Sequence, residues 1–256
     1  MPYTSEIDPY ASFKMLFIGE NGTGKTGAAA SFYKHKKGRI LIDDFDGRMK
    51  PVKKLMPDAK IEYNTILSST FGQFRDRLES YQDSCDLDVW VLDSVTSASM
   101  TCIVYQLQTK GTLNVKQKLS KSGLPVTTWD EINAETVMFT KMLEIACKEV
   151  NEKFGTSIIW ICHPVSKIQG AEGEATKRYT SIAAYGNKIP SLIPGFFDEI
   201  YNFTTEKRGL EGQVAHLVGT VPKGDFPGKS ALTLPAEMNI TGKLFYDVFM
   251  EALGKR

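Results

Sequence analysis

The feature that most restricts how this chain folds is the run Gly19-Glu20-Asn21-Gly22-Thr23-Gly24-Lys25-Thr26, followed by Gly27. It fits G-x-x-x-x-G-K-[ST] and stands between an apolar stretch, 13–18, that reads as a short strand and a segment, 25–34, that reads as a helix. A strand feeding a glycine-rich turn into a helix begins a β-α-β unit. The glycines permit a tight turn with successive N–H groups pointing inward, and the helix start adds partial positive charge, so the loop suits the phosphates of a nucleotide. Lys25, expected in a solvent-open loop, is placed to reach the β- and γ-phosphates. The Thr26 hydroxyl is placed to ligate Mg²⁺, a hard ion that takes oxygen donors.

The rest of the chain repeats that unit. Strands over 39–43, 61–66, 88–92 and 156–162 are separated by helices over 71–82, 97–108 and 130–154, the last with Asp130 as N-cap and Gly155 as stop. Val89-Trp90-Val91-Leu92 and Ile158-Ile159-Trp160-Ile161 are apolar without interruption, the pattern of parallel strands covered on both faces. Beyond Pro164 the stretch 165–184 is rich in Gly, Lys, Thr and Ala and reads as a long polar loop. Strand candidates over 197–204, 213–220 and 230–234 read as an antiparallel extension, and a helix over 242–253 closes the chain. With 256 residues, 42% of them hydrophobic, a core forms without disulfide or metal staples. The organisation expected is a short extension, 1–12, before a single domain, 13–256.

A net charge of +1 excludes a globally basic coat for nucleic acid or membrane, so any polyanion must be met by a local patch. Cys85, Cys102, Cys147 and Cys162 are widely spaced with no CxxC pair, which fits a reduced cytoplasmic setting. The first residues lack the pattern of an export signal, and no stretch reaches the roughly 18 to 20 apolar residues of a membrane span.

A phosphate cradle needs a carboxylate facing its metal, and Asp93, at the tip of the apolar strand, is the natural one. Hydrolysis also needs an oriented water, for which Asp43, Asp44 and Asp46 cluster at the end of the second strand. His163, directly after the strand over 156–162, falls at the same carboxyl edge, where open α/β sheets bind ligands.

With these residues in place the chain resembles RecA-type ATPases, and within them phage-encoded P-loop proteins of single-strand annealing and recombination. The resemblance spans about residues 13–235. It rests on the phosphate loop, on Val91-Leu92-Asp93-Ser94, and on Phe196-Phe197-Asp198-Glu199-Ile200-Tyr201, which is similar to a late strand of that core. Asp44-Phe45-Asp46-Gly47 resembles the family's acid-x-acid-Gly element, whose second acid is usually a glutamate that polarises the attacking water; that role falls on Asp46. The resemblance implies an α/β fold: a RecA-like P-loop NTPase core, its mostly parallel sheet flanked by helices, with an antiparallel C-terminal extension. It implies an ATPase stimulated by DNA, with ATP and Mg²⁺ bound by residues 19–27, the metal on Thr26 and Asp93, and a catalytic set of Lys25, Asp46, Asp93 and His163. His163 matches the position that links γ-phosphate to a mobile DNA-binding loop. The stretch 165–184 would be that loop, with Lys167, Lys177, Arg178 and Tyr179 meeting phosphates and stacking on bases. A second basic stretch, Lys110, Lys116, Lys118 and Lys121, would face DNA as well. RecA-like proteins complete the site with a Lys or Arg from a neighbouring subunit; Lys223 and Lys229 match by position, and the arginine many relatives use is absent. The partners implied are single-stranded DNA, further copies of the chain in a ring or filament, and a single-strand-binding or replication protein, with no membrane.

The same parts fit an alternative, a nucleotide-switched replication partner such as a helicase loader with no direct DNA role. A GTPase is disfavoured because Asn187-Lys188-Ile189-Pro190 lacks the aspartate that reads guanine. A small-molecule kinase is disfavoured because 165–184 holds a single arginine.

Overall fold

The computed structural model describes residues 10–109, 126–169, 177–184, 189–208, 213–223 and 227–254. Strands β1 (Lys14–Gly19), β4 (Val89–Asp93) and β5 (Ser157–Cys162) are apolar nearly end to end because both faces of the sheet are covered. Their side chains alternate between two layers. Leu16, Ile18, Trp90, Leu92, Ile158 and Trp160 pack beneath helices α3 (Phe71–Asp83), α4 (Val95–Thr109), α5 (Val126–Phe154) and α6 (Ile189–Phe196). Met15, Phe17, Val89, Val91, Ile159 and Ile161 pack beneath α1 (Lys25–Ala30), the 3₁₀ turn Ser31–Lys34, α2 (Met49–Leu55) and α7 (Phe245–Ala252).

The remaining strands of this sheet are β2 (Ile40–Asp44), β3 (Glu62–Thr65), β8 (Glu199–Arg208), β9 (Gln213–Gly219) and β10 (Glu237–Asn239). Their order is β10-β9-β8-β1-β5-β4-β2-β3. The strands from β8 to β3 are parallel, and β9 and β10 add on in antiparallel fashion. The mostly parallel sheet flanked by helices, with its antiparallel C-terminal strands, is the architecture expected from the sequence. Register then places the candidate site: Asp44 lies opposite Asp93, Asp93 opposite Ile161, and Cys162 opposite Ile18, so the carboxyl ends of four strands share one edge.

Several expectations need correction. Asp130 does not cap α5, which begins at Val126 and carries Asp130 in its second turn; Gly155 does end it, at φ 66°. The stretch 165–184 is not a loop throughout, because β6 (Pro164–Gln169) pairs antiparallel with β7 (Lys177–Ile182), with Lys167 opposite Tyr179 and Ile168 opposite Arg178. The stretch 230–234 is irregular, held by the N–H of Ala231 on Glu199 Oε1 at 2.8 Å and a bridge from Lys229 to Ile200; the edge strand forms later, at β10. Helices α2 and α6 were not foreseen. Lys110, Lys116, Lys118 and Lys121 lie outside the described residues, as do the side chains of Lys167, Lys177, Arg178 and Tyr179. No helix among the described residues is long and apolar enough to cross a membrane.

Candidate active site

The phosphate loop leaves β1 at Gly19, where a Cβ would stand 2.4 Å from the Phe203 carbonyl oxygen, so only glycine lets β1 and β8 come this close. It enters α1 at Gly24, whose φ of 97° suits glycine and aligns the following N–H groups. Lys25 is not in open solvent as expected but 5% exposed, and its ammonium donates to the carbonyls of Gly19 at 2.6 Å and Glu20 at 2.8 Å. Burial pushes its pKa down to about 8, against the opposing pull of Asp93, Cys162, Glu20 and Asp46. The Thr26 hydroxyl donates to Asp93 Oδ2 at 2.7 Å. Burial raises Asp93 to about 6, the hydrogen bond from Thr26 working the other way and the charges of Asp46 and Asp44 adding to the rise.

The three acids at the carboxyl end of β2, two in its last residues and one just beyond, separate into three environments. Asp43 is fully buried and accepts from Trp90 Nε1 at 2.8 Å, Arg77 Nη2 at 2.9 Å and Asn64 Nδ2 at 3.2 Å. Asp44 accepts the backbone N–H groups of Asp46, Gly47 and Arg48 at 3.0, 2.7 and 2.9 Å, which folds the turn that follows. Asp46 alone faces the phosphate loop's cleft. It accepts from Ser97 and Ser94 and lies 3.5 Å from His163 Nε2. Burial works to raise its pKa, but hydrogen bonds from His163 and Ser97 and the charges of His163 and Arg48 more than offset this and hold it below the ordinary value. His163 is itself fixed by its N–H on Thr96 Oγ1 at 3.1 Å, and its Nδ1 is buried with no hydrogen-bond partner among the described residues.

Asn21, Gly22, Gly24, Lys25, Thr26, Gly27, Asp46, Asp93 and His163 therefore line one cleft of about 890 Å³. A family model described as an AAA domain matches residues 11–232. The chain belongs to the AAA domain family. Similar solved structures include a KaiC-like protein from Pyrococcus horikoshii, 13% identical over 81% of this chain and 77% of that one, with a TM-score of 0.42. The flagellar accessory protein FlaH from Methanocaldococcus jannaschii is 11% identical, covering 89% and 84%, with a TM-score of 0.43. The RadB recombinase is 11% identical, covering 83% and 84%, with a TM-score of 0.47. The comparison with curated proteins returns no match.

Beyond the phosphate loop, the cleft of this AAA domain protein continues along an apolar wall that includes Tyr33, Val52, Leu55, Met56, Leu244 and Phe245, beside the loop and of a character to hold a planar base. Three further polar groups went unnoticed in the sequence. Arg48 donates from Nη1 to Asn21 Oδ1 at 2.8 Å, His216 Nδ1 lies 3.2 Å from the Thr23 carbonyl, and Ser97 holds Asp46. These partners are 27, 193 and 51 residues apart, so no local pattern announces them. Lys223 and Lys229 stand elsewhere: Lys223 is exposed 3.4 Å from Glu237, and the Lys229 ammonium donates to the Phe197 carbonyl at 2.8 Å. Phe197 precedes β8, so Lys229 belongs to the sheet edge opposite the phosphate loop.

Proposed function

We propose that the protein is a Mg²⁺-dependent ATPase whose turnover is coupled to single-stranded DNA. The observation that carries the first half is the Thr26–Asp93 contact of 2.7 Å at the foot of a phosphate loop, with Asp46 and His163 in the same cleft. A hydroxyl and a carboxylate side by side are the oxygen donors a hard cation takes while keeping waters, so the residues fit Mg²⁺. When bound, the metal supplies charge neutralisation on the transferring phosphoryl group. The loop amides and Lys25 hold the β- and γ-phosphates, and the apolar wall holds the base. The Asp46 carboxylate accepts a hydrogen bond from the attacking water. The water oxygen bonds to the γ-phosphorus, and the bond from that phosphorus to the β–γ bridging oxygen breaks, its electron pair staying on ADP. Because Asp46 sits below the ordinary carboxylate value, it orients the water without retaining its proton, which leaves with the phosphate and then to solvent.

The DNA half rests on connectivity. His163 contacts Asp46 on one side and joins β6 directly on the other, so a change at the γ-phosphate is one residue from a hairpin bearing Lys167, Lys177, Arg178 and Tyr179. The test is ATP hydrolysis titrated with single-stranded and duplex DNA, with particle size read with and without ATP to follow assembly. Stimulation by single strands supports the reading. ATP hydrolysis with no DNA affinity in any nucleotide state leaves the ATPase and favours the partner-switch alternative. Replacing Lys177 and Arg178 together should weaken DNA binding and flatten its salt dependence; equal affinity at all salts refutes the hairpin's role.

A further inference from the structure

Many ATPases need a cationic group, besides the phosphate-loop lysine, to meet the charge that grows on the γ-phosphoryl group in the transition state. Lys223 and Lys229, expected to supply it from a neighbour, lie away from this chain's own cleft, Lys223 exposed beside Glu237 and Lys229 on the Phe197 carbonyl. Among the described residues, the lysines and arginines lining the cleft are Lys25, Arg48 and Lys243. Lys25 belongs to the phosphate loop, and Lys243 is exposed next to Leu244 and Phe245 of the apolar wall. Arg48 is placed differently. Its backbone N–H is fixed by Asp44 Oδ2 at 2.9 Å, in the turn that the same carboxylate folds through the N–H groups of Asp46 and Gly47. Gly47, at φ 68°, lets this turn present Asp46 and Arg48 to the same cleft. The guanidinium already reaches the phosphate loop, where it holds Asn21 Oδ1 at 2.8 Å, and its charge acts on Asp46.

We propose that Arg48 is a catalytic residue acting in cis: its guanidinium donates to γ-phosphate oxygens as the bond to the β–γ bridging oxygen breaks. The inference rests on the ATPase reading above and deepens it. A planar guanidinium offers paired donors that match phosphate geometry, and one from the water-orienting turn needs no neighbouring subunit. The carboxylate that aligns the water and the cation that stabilises the phosphoryl group then move as one unit, two residues apart on a single turn.

The test is Arg48→Ala and Arg48→Lys in the full chain, with kcat, KM and the affinities for ATP and ADP measured separately. Arg48→Ala should lower kcat about 10²- to 10³-fold, the loss seen when one transition-state donor is removed, with ADP affinity within about threefold of the parent. Arg48→Lys should recover part of that loss, since it keeps the charge without the paired donors. Mixing Arg48→Ala with Lys25→Ala protomers separates cis from trans. If Arg48 served a neighbour, the Lys25→Ala copies would complete the sites of the others and turnover would return, which would overturn the proposal; no gain on mixing supports it. Equal losses of ATP and ADP affinity with kcat unchanged would also overturn it, making Arg48 a structural tie to Asn21. If the parent protein hydrolyses no ATP, the ATPase reading itself fails; if it does and Arg48→Ala matches it, only this inference does.

Discussion

Asp43 and Asp46 stand three residues apart at the end of one strand and meet opposite surroundings. Asp43 is enclosed, its two oxygens shared among an indole, a guanidinium and an amide. Asp46 is held from one side by two serines and a histidine, and its other side forms part of a cleft. A fully buried carboxylate with protein donors on both oxygens has no open face to offer a ligand, whatever its charge. The comparison teaches that the acid able to meet a ligand is the one whose partners orient it without surrounding it.

The largest effect should come from Asp46→Asn, which keeps the shape and removes the charge. Turnover is expected to fall about 10²- to 10⁴-fold with ATP binding preserved, measured by steady-state hydrolysis beside a nucleotide titration. Full activity in this variant would erase the distinction between the two acids. Asp43→Ala should act on the fold: it leaves Arg77 and Trp90 without their acceptor and should cost about 3 kcal/mol in chemical denaturation, while the remaining folded protein binds nucleotide normally. A loss of affinity at unchanged stability would move Asp43 into the site.

The smallest effect concerns pH and sharpens the case of Asp93, which is buried like Asp43 yet faces the cleft. Its pKa lies at about 6 against an ordinary 3.8, so the folded protein holds this proton more tightly than the unfolded chain does. Ionising Asp93 therefore withdraws stability as pH rises from about 4 through 6, and acidification restores it. Metal-dependent nucleotide binding should run the other way, weakening about tenfold one unit below that pKa because the protonated acid no longer faces a cation as a carboxylate. Opposite slopes for this group, seen by comparing the parent with Asp93→Asn in thermal melts and Mg²⁺-ATP titrations at pH 5 and 7.5, would confirm the assignment. Parallel slopes would count against it.

Where the sequence was legible, one strong local signal was present. Uninterrupted apolar runs mark β4 and β5, and glycine spacing marks the phosphate loop. Helix α2 was hidden because Pro51 and three lysines obscure its period and Val52 is its one buried residue. In α6, Pro190, Pro194 and Gly195 look like breakers, although the helix buries Ile189, Ile193 and Phe196. The strands β6 and β7 are polar and gain their order from each other, which no single segment reveals. In the site, Asp93 and Thr26 were readable from motif and strand end. The sorting of Asp43, Asp44 and Asp46 was not, because it depends on Trp90, Arg77 and Ser97, which arrive from other elements.

The alignment of strand ends along one edge has a thermodynamic corollary. Gly19, Asp93 and Cys162 terminate the innermost strands, whose amides open to solvent only when the whole sheet comes apart, whereas β10 and the β6–β7 pair lie outside that unit. Hydrogen exchange should therefore find the strand amides of β1, β4 and β5 among the slowest in the molecule and the β6–β7 segment among the fastest, a rigid anvil beside a yielding arm.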